Sequence, residues 1–120
     1  TLDRSVDLKM YMNCDSEIGV ASTKAFTSSL ILLNVFATYL GRFKGALTEN
    51  EYKDQLRRIV DCPSLIDKVL AYNSFFKTTA EQLKKFKGFL YIGRGVSYPI
   101  ALEGALKLKE LAYMHAEGYS

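Results

Sequence analysis

A short apolar run enclosed by glycines, followed by a tight loop and a helix, constrains the fold of this chain more than any other feature. The run at 89–92 is apolar and lies between two glycines, which is typical of a short buried strand in a parallel sheet. A loop at 93–95 follows, and a helix is predicted to begin near Ser97 or Pro99. A strand, a loop and a helix in this order predict an α/β fold.

The remainder of the chain is mostly helical in pattern, with one further strand. Residues 6–12 alternate apolar and polar side chains and are predicted to form a strand, followed by a loop at 13–19. Apolar spacing and capping residues predict four helices before the apolar run. They are 23–43, buried on most sides; 49–61, ended by Pro63; a short helix capped by Ser64; and 74–86. Their inward positions after residue 49 are Tyr52, Leu56, Ile59, Ile66, Val69, Leu70, Phe76, Ala80 and Leu83.

Only two strands are evident, so the predicted sheet is incomplete. Two strands do not form a stable parallel sheet by themselves, and residues 118–120 form no clear closing element. The chain has 120 residues, 48% of them hydrophobic, which is enough for one small domain. We therefore expect a piece of a longer protein, or a chain that completes its core with partner chains.

Composition argues against several classes of function. The net charge of +3 is modest, and no basic stripe interleaved with aromatic residues indicates nucleic-acid binding. Cys14 and Cys62 are far apart and His115 is the only histidine, so we expect no metal site and no cofactor. The uncharged run 25–41 contains hydroxyl and amide side chains and is short for a membrane span, which favours a buried helix. Because no signal-peptide pattern is present, we expect a cytoplasmic protein.

The helix that follows the apolar run carries a charged stripe. Glu103, Lys107 and Glu110 stand at i, i+4 and i+7 and share one helix face. Apolar residues border this stripe, namely Ile100, Leu106, Leu111, Tyr113 and Met114. Two carboxylates and an ammonium partly shielded from water suit proton transfer, although a surface salt-bridge ladder has the same spacing. The apolar borders favour the functional interpretation.

Two loops that follow predicted strands are candidate ligand sites. Residues 17–23 precede a helix N-terminus, where backbone N–H groups and small hydroxyls can hold a polar or anionic ligand. Ser22 or Thr23 could equally serve only as a helix N-cap. The Gly-Arg-Gly loop at 93–95 could form an anion-binding nest or a plain turn, since its spacing falls short of a dinucleotide-binding motif.

Two longer motifs resemble the isomerising glutamine:fructose-6-phosphate aminotransferases, or glucosamine-6-phosphate synthases. They are Glu-Ile-Gly-Val-Ala-Ser-Thr-Lys-Ala-Phe at 17–26 and Tyr-Pro-Ile-Ala-Leu-Glu-Gly-Ala-Leu-Lys-Leu-Lys-Glu at 98–110, followed by Tyr-Met-His-Ala-Glu at 113–117. The resemblance covers essentially the whole chain. It implies the three-layer α/β/α sandwich of sugar-isomerase (SIS) domains, here an incomplete, helix-rich fragment with about two parallel strands. The implied parts are 1–46 in the first SIS subdomain, a helical connector at 47–73, and 74–120 in the second subdomain.

The resemblance also implies a reaction and residue roles. Fructose-6-phosphate and glutamine-derived ammonia give glucosamine-6-phosphate. Glu110 matches the base that moves a proton between C1 and C2 of the sugar, and Lys107 matches an ammonium that assists it. Val20, through its backbone, and Ser22 match sugar-binding groups, and Glu103 has a supporting role. The implied partners are a sugar phosphate, the glutaminase domain of the parent chain and a second subunit of a homodimer.

The chain departs from the family pattern before the first motif, where Asp15-Ser16 replaces Gly-Pro. The family's phosphate loop, ring-opening histidine, Schiff-base lysine and glutaminase domain lie outside these residues, so we expect the isolated chain to be inactive. Two other functions fit the sequence. One is a non-catalytic SIS module that binds a sugar phosphate and regulates a partner, and the other is a helical segment that drives assembly through helix 23–43.

Overall fold

The structure, a computed structural model, describes residues 2–120; Thr1, the first residue of the expected 1–46 subdomain, lies outside it. The α-helices and strands in the described range are α1 (Lys24–Phe43), α2 (Glu49–Leu70), α3 (Asn73–Leu83), β1 (Gly88–Ile92), α4 (Tyr98–Ala112) and β2 (His115–Tyr119). The chain divides into two compact units. The first contains the residues up to Glu17 together with Ser22–Leu70, and the second contains Ile18–Ala21 together with Ala71–Ser120. The expected subdomain boundaries after residues 46 and 73 stay a prediction.

The first unit pairs α1 with α2. Tyr52, Leu56 and Ile59 of α2 are half-buried, as predicted, and line grooves together with α1 side chains such as Ile31 and Phe36. Residues at this spacing lie on one face of a helix, which explains why the amphipathic pattern identified them.

Helix α2 is longer than the sequence predicts. It begins at a capping box, in which Glu51 Oε2 accepts hydrogen bonds from the backbone N–H of Thr48 (2.8 Å) and from its hydroxyl (2.6 Å). The helix then continues through Pro63, so the predicted break and the separate helix capped by Ser64 are wrong. A proline removes one N–H from the helical ladder and crowds one carbonyl, and the hydrogen bonds of the flanking turns continue the helix on both sides.

The first predicted strand, at 6–12, is not a strand. Leu8 and Met10 line a groove with α1 side chains, so the alternation does describe which side chains face the helix. Extended backbone becomes a strand only by pairing with a neighbour. Within residues 2–120, no strand pairs with this segment.

The second unit contains a β1–α4–β2 motif. The two strands are parallel, with Gly88 opposite His115 and Ile92 opposite Tyr119. The backbone N–H of Gly93 donates to the carbonyl of Tyr119 at 2.9 Å and prolongs the pairing by one residue. The sequence predicts β1, a parallel pairing and the start of α4, but not β2. The α/β class with two parallel strands is therefore confirmed, although one of the strands is a different segment.

Two glycines allow α4 to lie close to the strands. A Cβ on Gly104 would stand 2.8 Å from the ring of Tyr91 on β1, and a Cβ on Gly118 of β2 would stand 2.9 Å from the backbone of Leu102 on α4. The helix ends at Tyr113, which adopts the left-handed conformation (φ 53°) and donates its N–H to a carbonyl of the last turn. Only two residues separate α4 from β2.

Within residues 3–120 the buried apolar side chains are all alanines, namely Ala21, Ala101, Ala105 and Ala116. Several large apolar residues predicted to point inward are exposed in this chain, and that part of the prediction is wrong. They include Leu30, Leu33, Phe36 and Leu40 of α1; Ile66, Val69 and Leu70 of α2; Phe76 and Leu83 of α3; and Leu90 and Ile92 of β1. The smaller Ala80 of α3 is exposed as well. The amphipathic pattern shows which face of an element is apolar and not what covers it. None of the helices in the described range is long and apolar enough to cross a membrane.

Candidate active site

The charged stripe of α4 forms one connected cluster. Lys107 Nζ lies 3.1 Å from Glu103 Oε1 and 2.7 Å from Glu110 Oε2. The three side chains are only 22%, 22% and 29% exposed, in the order Lys107, Glu103 and Glu110. The Lys84–Glu81 pair of α3 has the same three-residue separation as Lys107 and Glu110, but its side chains are 70% and 61% exposed. The shared face and the partial shielding are therefore as predicted.

The apolar border of the cluster is more open than expected. Ile100, Leu106, Leu111 and Tyr113 are all exposed, and only Met114 is half-buried. Within this chain, the side chains of the cluster are thus less exposed than four of the five apolar residues that border it.

The hydrogen bonds of the cluster determine the charge that Lys107 carries. The hydrogen bond to Glu110, supported by the bond to Glu103, raises the pKa of Lys107 above its ordinary value, although partial burial opposes the shift. Lys107 therefore remains an ammonium at neutral pH and cannot accept a proton. Because it binds Oε2 of Glu110, Oε1 of that carboxylate is left outside the ion pair. A carboxylate held in this way can accept and return a proton.

The start of α1 is capped by a carboxylate from outside the helix. Glu17 Oε1 accepts hydrogen bonds from the backbone N–H groups of Thr23 (2.6 Å) and Lys24 (2.9 Å) and from the hydroxyl of Thr23 (2.9 Å). Thr23 is the N-cap residue, one of the two that the sequence predicts, but its own side chain makes no capping bond. The bond from the Thr23 N–H is the main reason why the pKa of Glu17 falls to about 2.

The two residues predicted to bind sugar lie in the loop that Glu17 closes. Val20 is 80% exposed, next to the buried Ala21, and belongs to the compact unit that also contains Lys107 and Glu110. Ser22 is exposed and belongs to the first compact unit, in which it begins the segment Ser22–Leu70. Sequence reasoning marked this loop but missed the role of Glu17, because its spacing of six residues from Thr23 is not that of a capping box.

The Gly-Arg-Gly loop is explained by backbone geometry. A Cβ on Gly93 would stand 2.2 Å from the carbonyl oxygen of Ser97, and Gly95 has a φ of +55°. Both glycines are thus needed for the turn that leads into α4, and anion binding at this loop stays a prediction. Across residues 2–120, no three side chains of His, Cys, Asp or Glu are grouped in a way that could hold a metal ion.

The sequence and structure of this chain are similar to those of known proteins. The SIS domain family matches residues 82–120, which include β1, α4 and β2. The whole chain is 45% identical to a glutamine–fructose-6-phosphate aminotransferase (isomerizing) from Zymomonas mobilis and covers 20% of that protein. The Thermus thermophilus protein of the same name is 43% identical over 99% of this chain, again covering 20% of the relative.

The structural comparison agrees. The C-terminal domain of glucosamine-fructose-6-phosphate aminotransferase from Francisella tularensis matches with a TM-score of 0.85 and 38% identity, over 88% of this chain and 29% of that one. This chain matches a segment of the glutamine–fructose-6-phosphate aminotransferases. It spans about one fifth of the length of the curated relatives it matches. The resemblance of its two motifs to this aminotransferase family, and its assignment to the SIS fold, are therefore confirmed.

Proposed function

We propose that this chain is part of the isomerase domain of an enzyme that converts fructose-6-phosphate to glucosamine-6-phosphate with ammonia from glutamine. The observation that carries the proposal is the shielded cluster in which Lys107 joins Glu103 to Glu110. Relatives at 43–45% identity carry names that specify this activity. In this proposal 1–46 and 74–120 belong to the two SIS subdomains and 47–73 connects them. The glutaminase domain and a second copy of the chain complete the enzyme.

The proposed reaction requires a proton to change carbon atoms. The C2 ketone of the sugar forms an imine with ammonia and releases water. A proton then leaves C1 to give an enamine, and a proton is delivered to C2 while the C1 hydroxyl loses its proton and C1 becomes an aldehyde. Glu110 is the proposed base because it is the carboxylate closest to the ammonium, with one oxygen outside the ion pair. Lys107 stabilises the charged form of Glu110 and the negative charge that develops on the sugar.

The other proposed roles concern orientation. The backbone of Val20 and the hydroxyl of Ser22 bind the sugar, which keeps C1 and C2 in reach of the base. Glu103 holds Lys107 from the opposite side, at 3.1 Å, and limits the positions that the ammonium can adopt.

The test is Glu110→Gln in the full-length enzyme, because glutamine has nearly the same shape and no basic oxygen of similar strength. We expect kcat for glucosamine-6-phosphate formation to fall about 10²–10⁴-fold, the usual contribution of a general base, with little change in the affinity for fructose-6-phosphate. The matched control is Glu81→Gln, which removes the equivalent partner of Lys84 at an exposed position. That variant should retain the kcat of the wild type.

The same pair of variants separates catalysis from regulation. In a non-catalytic module that only binds the sugar phosphate, Glu110→Gln and Glu81→Gln would both leave the affinity for the sugar phosphate almost unchanged. Turnover of fructose-6-phosphate by Glu110→Gln at the wild-type rate would therefore contradict the proposed function.

A further inference from the structure

Two helices of this chain are capped by a glutamate in chemically similar ways. Glu51 caps α2 through the N–H and hydroxyl of Thr48, and Glu17 caps α1 through the N–H and hydroxyl of Thr23 and the N–H of Lys24. In both cases the carboxylate satisfies N–H groups that have no partner within the helix. The two caps differ in what lies between the carboxylate and the threonine.

Glu51 follows Thr48 by three residues, inside its own helix, and encloses no loop. Glu17 precedes Thr23 by six residues, so its three hydrogen bonds close residues 18–22 into a loop. Within this loop Ala21 is buried and the neighbouring Val20 is exposed. Helix capping alone does not require this arrangement, since the Thr23 hydroxyl stands at the N-cap position and instead donates to Glu17.

We propose that Glu17 is a positioning residue that holds the loop at 18–22 in the conformation that binds the sugar. The inference rests on the proposed function, because Val20 and Ser22 are the sugar-binding groups of that proposal. Glu17 does not itself contact the substrate in this scheme. It fixes both ends of the loop, so the backbone of Val20 and the hydroxyl of Ser22 need not be ordered when the sugar binds, and less affinity is lost to ordering.

The test compares Glu17→Ala with Glu51→Ala in the full-length enzyme. Both variants remove a capping carboxylate, so both should lower the melting temperature by similar amounts. Only Glu17→Ala should raise KM for fructose-6-phosphate, by about tenfold, with kcat within about threefold of wild type. Glu17→Gln keeps an oxygen that can accept from Thr23 and Lys24, and we expect it to restore most of the affinity. Should Glu17→Ala fail to fold, the same comparison is made with Glu17→Gln, for which we expect a KM about threefold above wild type.

The outcomes separate the two proposals. If the wild-type enzyme turns over fructose-6-phosphate and Glu110→Gln abolishes turnover, the proposed function stands. Equal stability losses for the Glu17 and Glu51 variants, with no change in KM for either, would then show that Glu17 is only a cap and overturn this inference. A rise in KM that is confined to the Glu17 variants and smaller for Gln than for Ala supports it.

Discussion

Replacing Gly118 with alanine tests how closely α4 has to lie on the strands. A Cβ at this position would stand 2.9 Å from the backbone N and Cα of Leu102, whereas ordinary contacts begin at 3.4 Å. Backbone atoms cannot rotate aside, so the helix must move away from β2 by about the difference between these two distances, 0.5 Å. That displacement carries Lys107 and Glu110 with it, since both are on α4.

The expected cost follows from two opposing effects. Overpacking a close contact destabilises a protein by about 1–3 kcal/mol, and alanine recovers about 0.5–1 kcal/mol because glycine is the more flexible residue in the unfolded chain. The net loss lies between about 0 and 2.5 kcal/mol and is centred near 1 kcal/mol, which corresponds to a fall of about 2–4 °C in the melting temperature of a domain of roughly 150–250 residues. A misplacement of about 1 Å can reduce a rate about 10²-fold, so we expect kcat to fall about tenfold.

Thermal unfolding and the rate of glucosamine-6-phosphate formation, both measured on the full-length enzyme, check these values. The control is Gly88→Ala in the neighbouring strand, where the nearest atom to a new Cβ is an ordinary 3.6 Å away. By the same flexibility argument it should raise the melting temperature by about 1–4 °C, and it should leave the kcat unchanged. If the two alanine variants behave alike, the close seating of α4 does not limit stability or activity and our reasoning is refuted.

Two further predictions concern backbone strain and pH. Tyr113→Gly should raise the melting temperature, because a non-glycine residue in the left-handed region costs about 1 kcal/mol and the Tyr113 side chain is exposed. Tyr39→Gly, at an exposed position inside α1, should lower it. The pKa of Glu17 is about 2 in the folded protein and 4.5 ordinarily, so its carboxylate stabilises the fold above about pH 4.5. The difference in urea midpoint between wild type and Glu17→Gln should thus shrink as the pH falls from 5 towards 3, roughly the window between these pKa values; a constant difference would contradict this assignment.

The sequence was most informative where local pattern and tertiary contacts agree. Helices α1 and α4 and strand β1 were predicted because each has an apolar spacing that matches its own geometry. Strand β2 was missed because His-Ala-Glu-Gly-Tyr has neither alternation nor β-branched residues. Its conformation depends on pairing with β1 and on Ala116 and Gly118, which lie against α4. The segment 6–12 shows the reverse case, since it has the alternation of a strand and no neighbour to pair with in the described range.

The candidate site was only partly predictable. Helical spacing is enough to bring Glu103, Lys107 and Glu110 together, because three residues on one helix face need no tertiary information. The cap from Glu17 could not be predicted in this way, since the path of a six-residue loop is set by contacts that no local rule describes. The capping box of Thr48 and Glu51, by contrast, carries the Thr-x-x-Glu spacing that local rules do recognise.

The abrupt end of α4 limits which changes in length the second unit can tolerate. Only Tyr113 and Met114 join the helix to β2, and Tyr113 adopts the left-handed conformation at the end of the helix. Because side chains alternate along a strand, one inserted residue here would shift the register by one position. His115 would then replace Ala116 beneath the helix, leaving an imidazole where the native protein buries a methyl group. Insertions are thus far more damaging at this junction than most substitutions of its exposed tyrosine.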